Sequence, residues 1–266
     1  MKRLLSWVVS LCWFLALPAV LVATWWFTSE GSENIYFPPL RKIVDVFPDT
    51  WFADGTDSRL VADVVPSLGR LSAGYAVAAV LGIGVGVLIG RVAWLRALVE
   101  PVIEMFRAIP PPVVVPVLVA LAGIDNTMKV LVIVFGCVWP IMLNTVEGVR
   151  ALDPVAEETC RSYGITGVNR LRVLVLPSAS PQIMTGLRQA LSIAVILMVI
   201  SEMIVSTDGL GFTVVQFQRT FALPEMWTGI IMLGLVGVVL SLLFRLVESR
   251  VLRWYEGVRR THHSAA

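Results

Sequence analysis

Charge is scarce in this chain: 15% of its 266 residues are Asp, Glu, Lys or Arg, against 57% hydrophobic. A water-soluble domain of this length needs far more charge to cover its surface, so an ordinary soluble globular protein is excluded. Lysine is scarcer still, with only Lys2, Lys42 and Lys129, none of them after a glycine. That excludes a Walker A phosphate loop, whose lysine must follow glycine to reach the phosphates, and with it ATP hydrolysis by that route. The two histidines, His262 and His263, both lie in a polar tail. No HExxH zinc site and no triad with a buried histidine can be built from them. There is no Gly-x-Ser-x-Gly turn, and the carboxylates do not cluster, so neither catalysis nor a bound metal or cofactor is expected. The three cysteines, Cys12, Cys137 and Cys160, are odd in number and lack paired spacing. They read as small packing residues rather than a disulfide framework. A net charge of +2 with no basic stripe among aromatics gives no reason to expect a nucleic acid partner.

What the chain has in abundance is long apolar runs, reflected in a mean hydropathy of +0.81. A helix needs about 20 mostly apolar residues to cross the hydrocarbon core. Six stretches qualify, at 7–27, 72–89, 98–122, 128–146, 183–205 and 226–247, which predicts an all-α membrane protein of six spans. The first follows Lys2 and Arg3. Its apolar run exceeds the 7–15 residues of a signal core and no small-x-small cleavage site follows, so a retained span is expected. Lysine and arginine in loops set orientation. With the N-terminus inside, the inner segments carry Arg91, Arg96, Arg107, Arg150, Arg161, Arg170 and Arg172, and the tail adds Arg250, Arg253, Arg259 and Arg260. The outer segments hold Arg41, Lys42, Arg59, Arg70, Lys129 and Arg219, diluted by acids that include Asp45, Asp54, Asp57 and Asp63. Both termini are therefore expected inside the inner membrane of a bacterial cell. The organisation reads as an N-terminal span and outer loop over 1–66, a core over 67–255, and a tail over 256–266.

Three local patterns refine this. Leu40, Ile43, Val44 and Phe47 recur at helical spacing, which suggests a short helix on the outer face; a mobile loop with scattered apolar residues is the alternative. Gly82, Gly86 and Gly90 strip one face of the second span, allowing close approach of another helix, within the subunit or at a dimer seam. Pro110, Pro111 and Pro112 interrupt the third. Proline removes a backbone donor and clashes with the preceding turn, so no regular helix continues through them. Either a broken helix lines a transport site there, or an amphipathic helix over 98–109 gives way to a shorter one from Val113. Among charges near the spans, Arg188 can snorkel, Arg245 and Glu248 can pair, and Glu202 lies near an outer helix end, within reach of water. Pro110, Pro111 and Glu202 are carried as candidate pathway or gate residues.

The loop at 147–182 is the most informative stretch. Asp153-Pro154 is a strong helix start, a capping carboxylate followed by proline at the first helical position. Glu157 and Glu158 sit on the favourable side of the dipole, and Gly164 supplies the stop. A helix of about ten residues, roughly 15 Å, is expected. A second short helix over 167–175 should end at Pro177, with Ser180-Pro181 starting the fifth span.

Glu158-Thr-Cys-x3-Gly164-x9-Leu174-x-Leu176-Pro177 resembles the EAA loop of permease subunits in binding-protein-dependent ABC importers. Thr159 and Cys160 replace its two alanines and Leu174 its isoleucine. Arg107-Ala-Ile-Pro110-Pro, Pro140-x3-Asn144-Thr-x2-Gly148-Val-Arg, Leu176-Pro177-x3-Pro181-x4-Gly186-Leu-Arg188 and Gly209-Leu-Gly211 are similar to the nitrate, sulfonate and taurine branch. The resemblance implies a type I importer fold with a cytoplasmic coupling helix, on which Asp153, Glu157, Glu158, Arg161, Gly164 and Pro177 serve contact with an ATPase. It also implies that ATP is bound by that partner ATPase subunit, that a second permease copy completes the pore within membrane lipid, and that a periplasmic or lipoprotein substrate-binding protein delivers the solute. A secondary transporter or channel is the rival reading; it would need no capped EAA loop and usually shows an inverted repeat or buried ionisable site.

Overall fold

The computed structural model describes residues 2–53, 55 and 58–255, with side chains from residue 16 onward. The side chains of Lys2, Arg3 and Cys12, together with Asp54, Asp57 and the tail at 256–266 with Arg259, Arg260, His262 and His263, fall outside what it describes. The regular structure among the described residues is all helical, as a lipid-embedded backbone that must satisfy its own polar groups requires. In chain order the helices are α1 (Lys2–Ser29), α2 (Leu40–Phe52), α3 (Val65–Arg91), α4 (Ala93–Ala108), α5 (Pro111–Ala122), α6 (Asn126–Arg150), α7 (Pro154–Ser162), α8 (Gly167–Arg170), α9 (Leu176–Ile204), α10 (Leu210–Arg219) and α11 (Leu223–Val251). Wider π-helical turns at Leu60–Val64 and Leu171–Val175 run directly into α3 and α9. The boundary expected at 66/67 thus falls inside a continuous helix, Leu60–Arg91.

Four of these helices are long and apolar enough to cross a membrane: Leu60–Arg91, Asn126–Arg150, Gly167–Ile204 and Leu223–Val251. The single span expected over 98–122 is instead two helices, α4 and α5, bent by 93° at the break between them. Proline chemistry explains the corner. A residue before proline is driven to extended geometry, and Ile109 (ψ 118°) and Pro110 (ψ 122°) adopt it. Pro111 and Pro112 then fall in the first turn of α5, where a missing N–H costs nothing. The expectation that Pro177 and Ser180-Pro181 bound the fifth span is also corrected. Pro177 lies in the first turn of α9, Pro181 lies inside that helix, and the Ser180 hydroxyl donates to the Pro177 carbonyl at 2.8 Å rather than capping a new helix.

The centre of the bundle is α6, gripped by α3 on one side and α9 on the other. A Cβ added at Gly74, Gly82, Gly86 or Gly90 would stand 2.7–2.9 Å from the Cβ of Ile133, Ile141, Thr145 or Val149 respectively. The partner's number advances in step with the glycine's, so α3 and α6 run parallel and in register over four contacts within one chain. The α9 side repeats the device in the opposite sense. Gly148 meets Gln182 and Ala179, Gly186 meets Asn144 and Pro140, and Gly136 meets Leu197. The glycine face expected on the second span is therefore an intrasubunit seam. At the end of the bundle away from α7, α2 forms as the Leu40, Ile43, Phe47 spacing predicts, with Leu40, Ile43 and Trp51 buried. It packs on α11, where the Trp51 indole donates to the Thr228 hydroxyl at 3.0 Å.

Gly84 faces open space, whereas Gly86 faces Thr145. Gly86→Leu is expected to lower the stability of the purified protein by about 1–3 kcal/mol through overpacking, read as a clear drop in thermal midpoint. Gly84→Ala should leave the midpoint unchanged or slightly raised. Equal midpoints for the two variants would contradict the seam.

Candidate functional site

Between α6 and α9 the chain leaves the bundle to form α7. The Asp153 side chain accepts from the Val155 N–H at 3.0 Å, the cap that the Asp-Pro pair forecasts. Gly164, at φ +66°, ends the segment in the left-handed conformation. Cys160 is buried and anchors one face, while Glu158, Arg161, Val155 and Tyr163 are exposed on the others. Glu157 turns back to pair with Arg170 of α8. The exposed face is thus short, charged, capped and braced, and it joins the two helices that hold the bundle core.

A cavity of about 560 Å³ opens at mid-height beside α6 and α9. Its wall is mostly apolar, including Trp139, Ile193 and Leu197, and Pro111 and Pro112 at the corner described above contribute to it. Polar groups are few: Arg107, which pairs with Glu104 at 2.8 Å, and Asn144 and Gln189, which hydrogen-bond to each other at 3.2 Å. Pro140, inside α6, cannot donate backward, so the carbonyl of Gly136 in the same wall lacks its usual helical partner. Broken backbone and sparse polar groups beside an apolar wall are the features of a site where a solute passes. Pro110 and Glu202 are not among the lining residues.

Glu202 lies elsewhere, and not within reach of water: it is fully buried at the end of the bundle away from α7. Its carboxylate accepts from Ser67 Oγ at 2.7 Å, from Arg70 Nη1 at 2.8 Å and from the Gly211 N–H at 3.0 Å. The same Arg70 donates to Asp208 at 2.6 Å and to Asn126 at 2.7 Å. Lys129 donates to Ser206 at 2.7 Å and stands 3.5 Å from Asp208. Asp63 accepts from the Gly209 N–H at 3.1 Å, and Ser67 accepts from the Leu210 N–H at 3.0 Å. Five segments are stitched together here, and the N-terminus of α10 is capped by side chains of other helices. The Gly209-Leu-Gly211 motif finds its reason in this knot. A Cβ at Gly209, whose φ is +105°, would stand 2.5 Å from the Glu202 carboxyl carbon, and one at Gly211 would stand 2.5 Å from the Val199 carbonyl. Burial pushes the Asp208 carboxyl up, but its hydrogen bond from Arg70 and the charges of Arg70 and Lys129 outweigh that and hold it below its ordinary value. Sequence reasoning missed Arg70, Ser67, Lys129 and Asp208 as a group, because Arg70 and Lys129 read as loop charges near span ends. Only the glycine motif signalled a tight turn near Glu202.

Removing one member of a buried pair leaves the other uncompensated, at a cost of about 3–5 kcal/mol. Glu202→Ala is expected to lower the thermal midpoint far more than Glu225→Ala, a carboxylate outside the knot, and Arg70→Met/Glu202→Met to recover much of the loss. A Glu202→Ala protein as stable as the parent would remove the knot from the account of stability.

Comparisons with known proteins agree with this architecture. The sequence profile for "Binding-protein-dependent transport system inner membrane component" matches residues 79–253. The taurine transport system permease protein TauC of Escherichia coli is 30% identical over 247 residues, 91% of this chain and 89% of TauC. The putative aliphatic sulfonates transport permease protein SsuC of Bacillus subtilis is 28% identical, covering 91% and 88%. The nitrate import permease protein NrtB of Leptolyngbya laminosa is 29% identical, covering 87% and 84%. Among solved structures, an inward-facing MetNI methionine ABC transporter chain is similar in fold, with a TM-score of 0.61 at 22% identity over 76% of this chain and 98% of that one. In this family the ATPase is a separate subunit, so this chain is a transport subunit and not an enzyme. It belongs to the family of inner-membrane components of binding-protein-dependent transport systems, as a membrane-spanning permease subunit of an ABC importer.

Proposed function

We propose that this chain, as one of two identical copies, forms the translocation pathway for a small solute of the nitrate, sulfonate or taurine type, with six spans and both termini in the cytoplasm. In this reading α1 and the α4–α5 pair join the four long helices as spans, and α7 is a coupling helix that docks on a cytoplasmic ATPase. The observation that carries the reading is the braced, exposed α7 between α6 and α9. A capped helix held by Asp153, Cys160 and the Glu157–Arg170 pair moves as a unit, so closure of an ATPase beneath it shifts both spans together. Glu158 and Arg161 are the exposed contact charges, Gly164 is the turn, and Pro177 lies within the continuous helix Gly167–Ile204 that receives the motion.

The cavity beside the Pro110–Pro112 corner is the proposed passage, with Pro110 and Pro111 setting the elbow of the α4–α5 pair. Arg107 at its wall suits a small anionic or zwitterionic solute, and Asn144 and Gln189 supply neutral donors that hold such a group without trapping it. Glu202 acts at the far end as a lock on α3, α9 and α10, and so on the gate those helices form. The solute is delivered by a periplasmic or lipoprotein substrate-binding protein, the partner that the family's description implies.

The test is recovery of the ATPase subunit with this chain from native membranes in mild detergent. Glu158→Lys is expected to cut that recovery by about tenfold or more, since a reversed charge at an interface repels its partner. Asp45→Lys, at the opposite end of the molecule, should leave it unchanged. If no ATPase is recovered with the parent chain and taurine or nitrate uptake survives ATP depletion, the importer mechanism gives way to secondary transport.

A further inference from the structure

A second cavity, of about 520 Å³, opens between the C-terminal ends of α3 and α6, the start of α4 and the α7–α8 segment. Four arginines line it, Arg91, Arg96, Arg150 and Arg170, beside one carboxylate, Glu157. The packing already described brings them together. The last step of the glycine seam puts Gly90 against Val149, where a Cβ would stand 2.9 Å from the valine Cβ, so Arg91 and Arg150 follow side by side. Extended geometry at Val92 (φ −116°, ψ 97°) then turns the chain straight into α4 and carries Arg96 to the same space.

Ordinary causes explain only part of this cluster. Arg91 and Arg150 offset the negative C-terminal ends of two parallel helices. Arg150 also pairs with Glu147 at 2.8 Å, and Arg170 pairs with Glu157. Arg96, however, lies in the first turn of α4, the positive end of a helix, where a cation is disfavoured. Among the described residues neither Arg91 nor Arg96 has a carboxylate within ion-pair distance. Arg170 Nε is buried with no hydrogen-bond partner at all. A buried donor without an acceptor is costly, so Arg170 is not fully served by the pairing with Glu157.

We propose that this cavity is a binding site for a phosphate-bearing anion, held by Arg91 and Arg96 with Arg170 in the wall beside them. Guanidinium forks match phosphate oxygens in pairs, which a spherical cation does not. The phosphate comes either from an anionic phospholipid headgroup or from a free phosphate. The site lies where the spans end, and α4 presents Trp94 and Leu98, 70% and 65% exposed, as an apolar track beside it. A bound anion would tie α3 and α4 to the α7–α8 segment, because Arg170 in the same wall pairs with Glu157 of α7. The inference rests on the cavity alone and stands whether or not α7 docks an ATPase.

The full chain, purified in detergent, tests it in two arms. Native mass spectrometry counts adducts after incubation with phosphatidylglycerol or phosphatidylcholine, and calorimetry follows titration with inorganic phosphate. Arg91→Gln/Arg96→Gln is expected to lower binding by about tenfold in at least one arm, the equivalent of one lost charge-assisted hydrogen bond. Arg245→Gln/Arg250→Gln, equal in charge change but on α11, should stay within about twofold of the parent. If the double variant does not yield folded protein, Arg96→Gln carries the same comparison with a loss of about threefold. Loss confined to phosphatidylglycerol identifies a lipid headgroup; loss confined to the phosphate heat identifies a free anion. Parent-like binding in the variants, equal losses in the α11 control, or no binding by the parent in either arm overturns the site.

Discussion

In a bilayer, lipid chains solvate an apolar side chain about as well as a neighbouring helix does, so burial alone does not hold helices together. What holds this bundle is close approach. Four glycines on α3 and three more on α6 and α9 remove the side chains that would keep the backbones apart. Dispersion between packed atoms is individually small but accumulates along the whole seam. Everything else hangs from that frame: it sets α6 at the centre, fixes α3 parallel to it, and decides which residues at each end become neighbours.

The two ends of the frame are treated differently. At the end away from α7, the chain buries Arg70 and Lys129 with Glu202 and Asp63, and the half-exposed Asp208 closes the set from the rim. Every acid there accepts from backbone N–H or guanidinium, so the desolvation penalty of burial is met by directed hydrogen bonds. Such a network adds less stability than it adds uniqueness, because it closes only when α3, α6, α9 and α10 stand in one arrangement. At the α7 end, among the described residues, Arg91 and Arg96 have no carboxylate within ion-pair distance while Arg150 and Arg170 are paired, and the connecting segment is a capped, exposed helix.

Between them the middle of the bundle is apolar, and a cavity of about 560 Å³ lies where helix regularity fails. Pro110–Pro112 bend the chain by 93°, and Pro140 frees a carbonyl in α6. Backbone irregularity at this depth survives because protein surrounds it. A permease needs such a place, since a solute crossing an unbroken apolar wall would find nothing to replace its hydration.

The sequence by itself determined the class, most of the helices and the capped segment α7. Apolar runs of about 20 residues leave no alternative to spanning helices, glycines four apart mark a face of close approach, and Asp153-Pro154 with Gly164 fixes a short capped helix through local chemistry alone. These features are legible because they depend on residues near each other in the chain. The tertiary structure alone decided the knot and the arginine cavity. Glu202 lies 135 residues from Ser67 and 132 from Arg70, and four helices intervene in the chain between Arg91 and Arg170. Arg70 and Lys129 near helix ends look like any interfacial charge until packing removes water from them. The 93° corner was half legible: prolines declare that a helix stops, but the angle at which the next one leaves is set by the neighbours against which it packs.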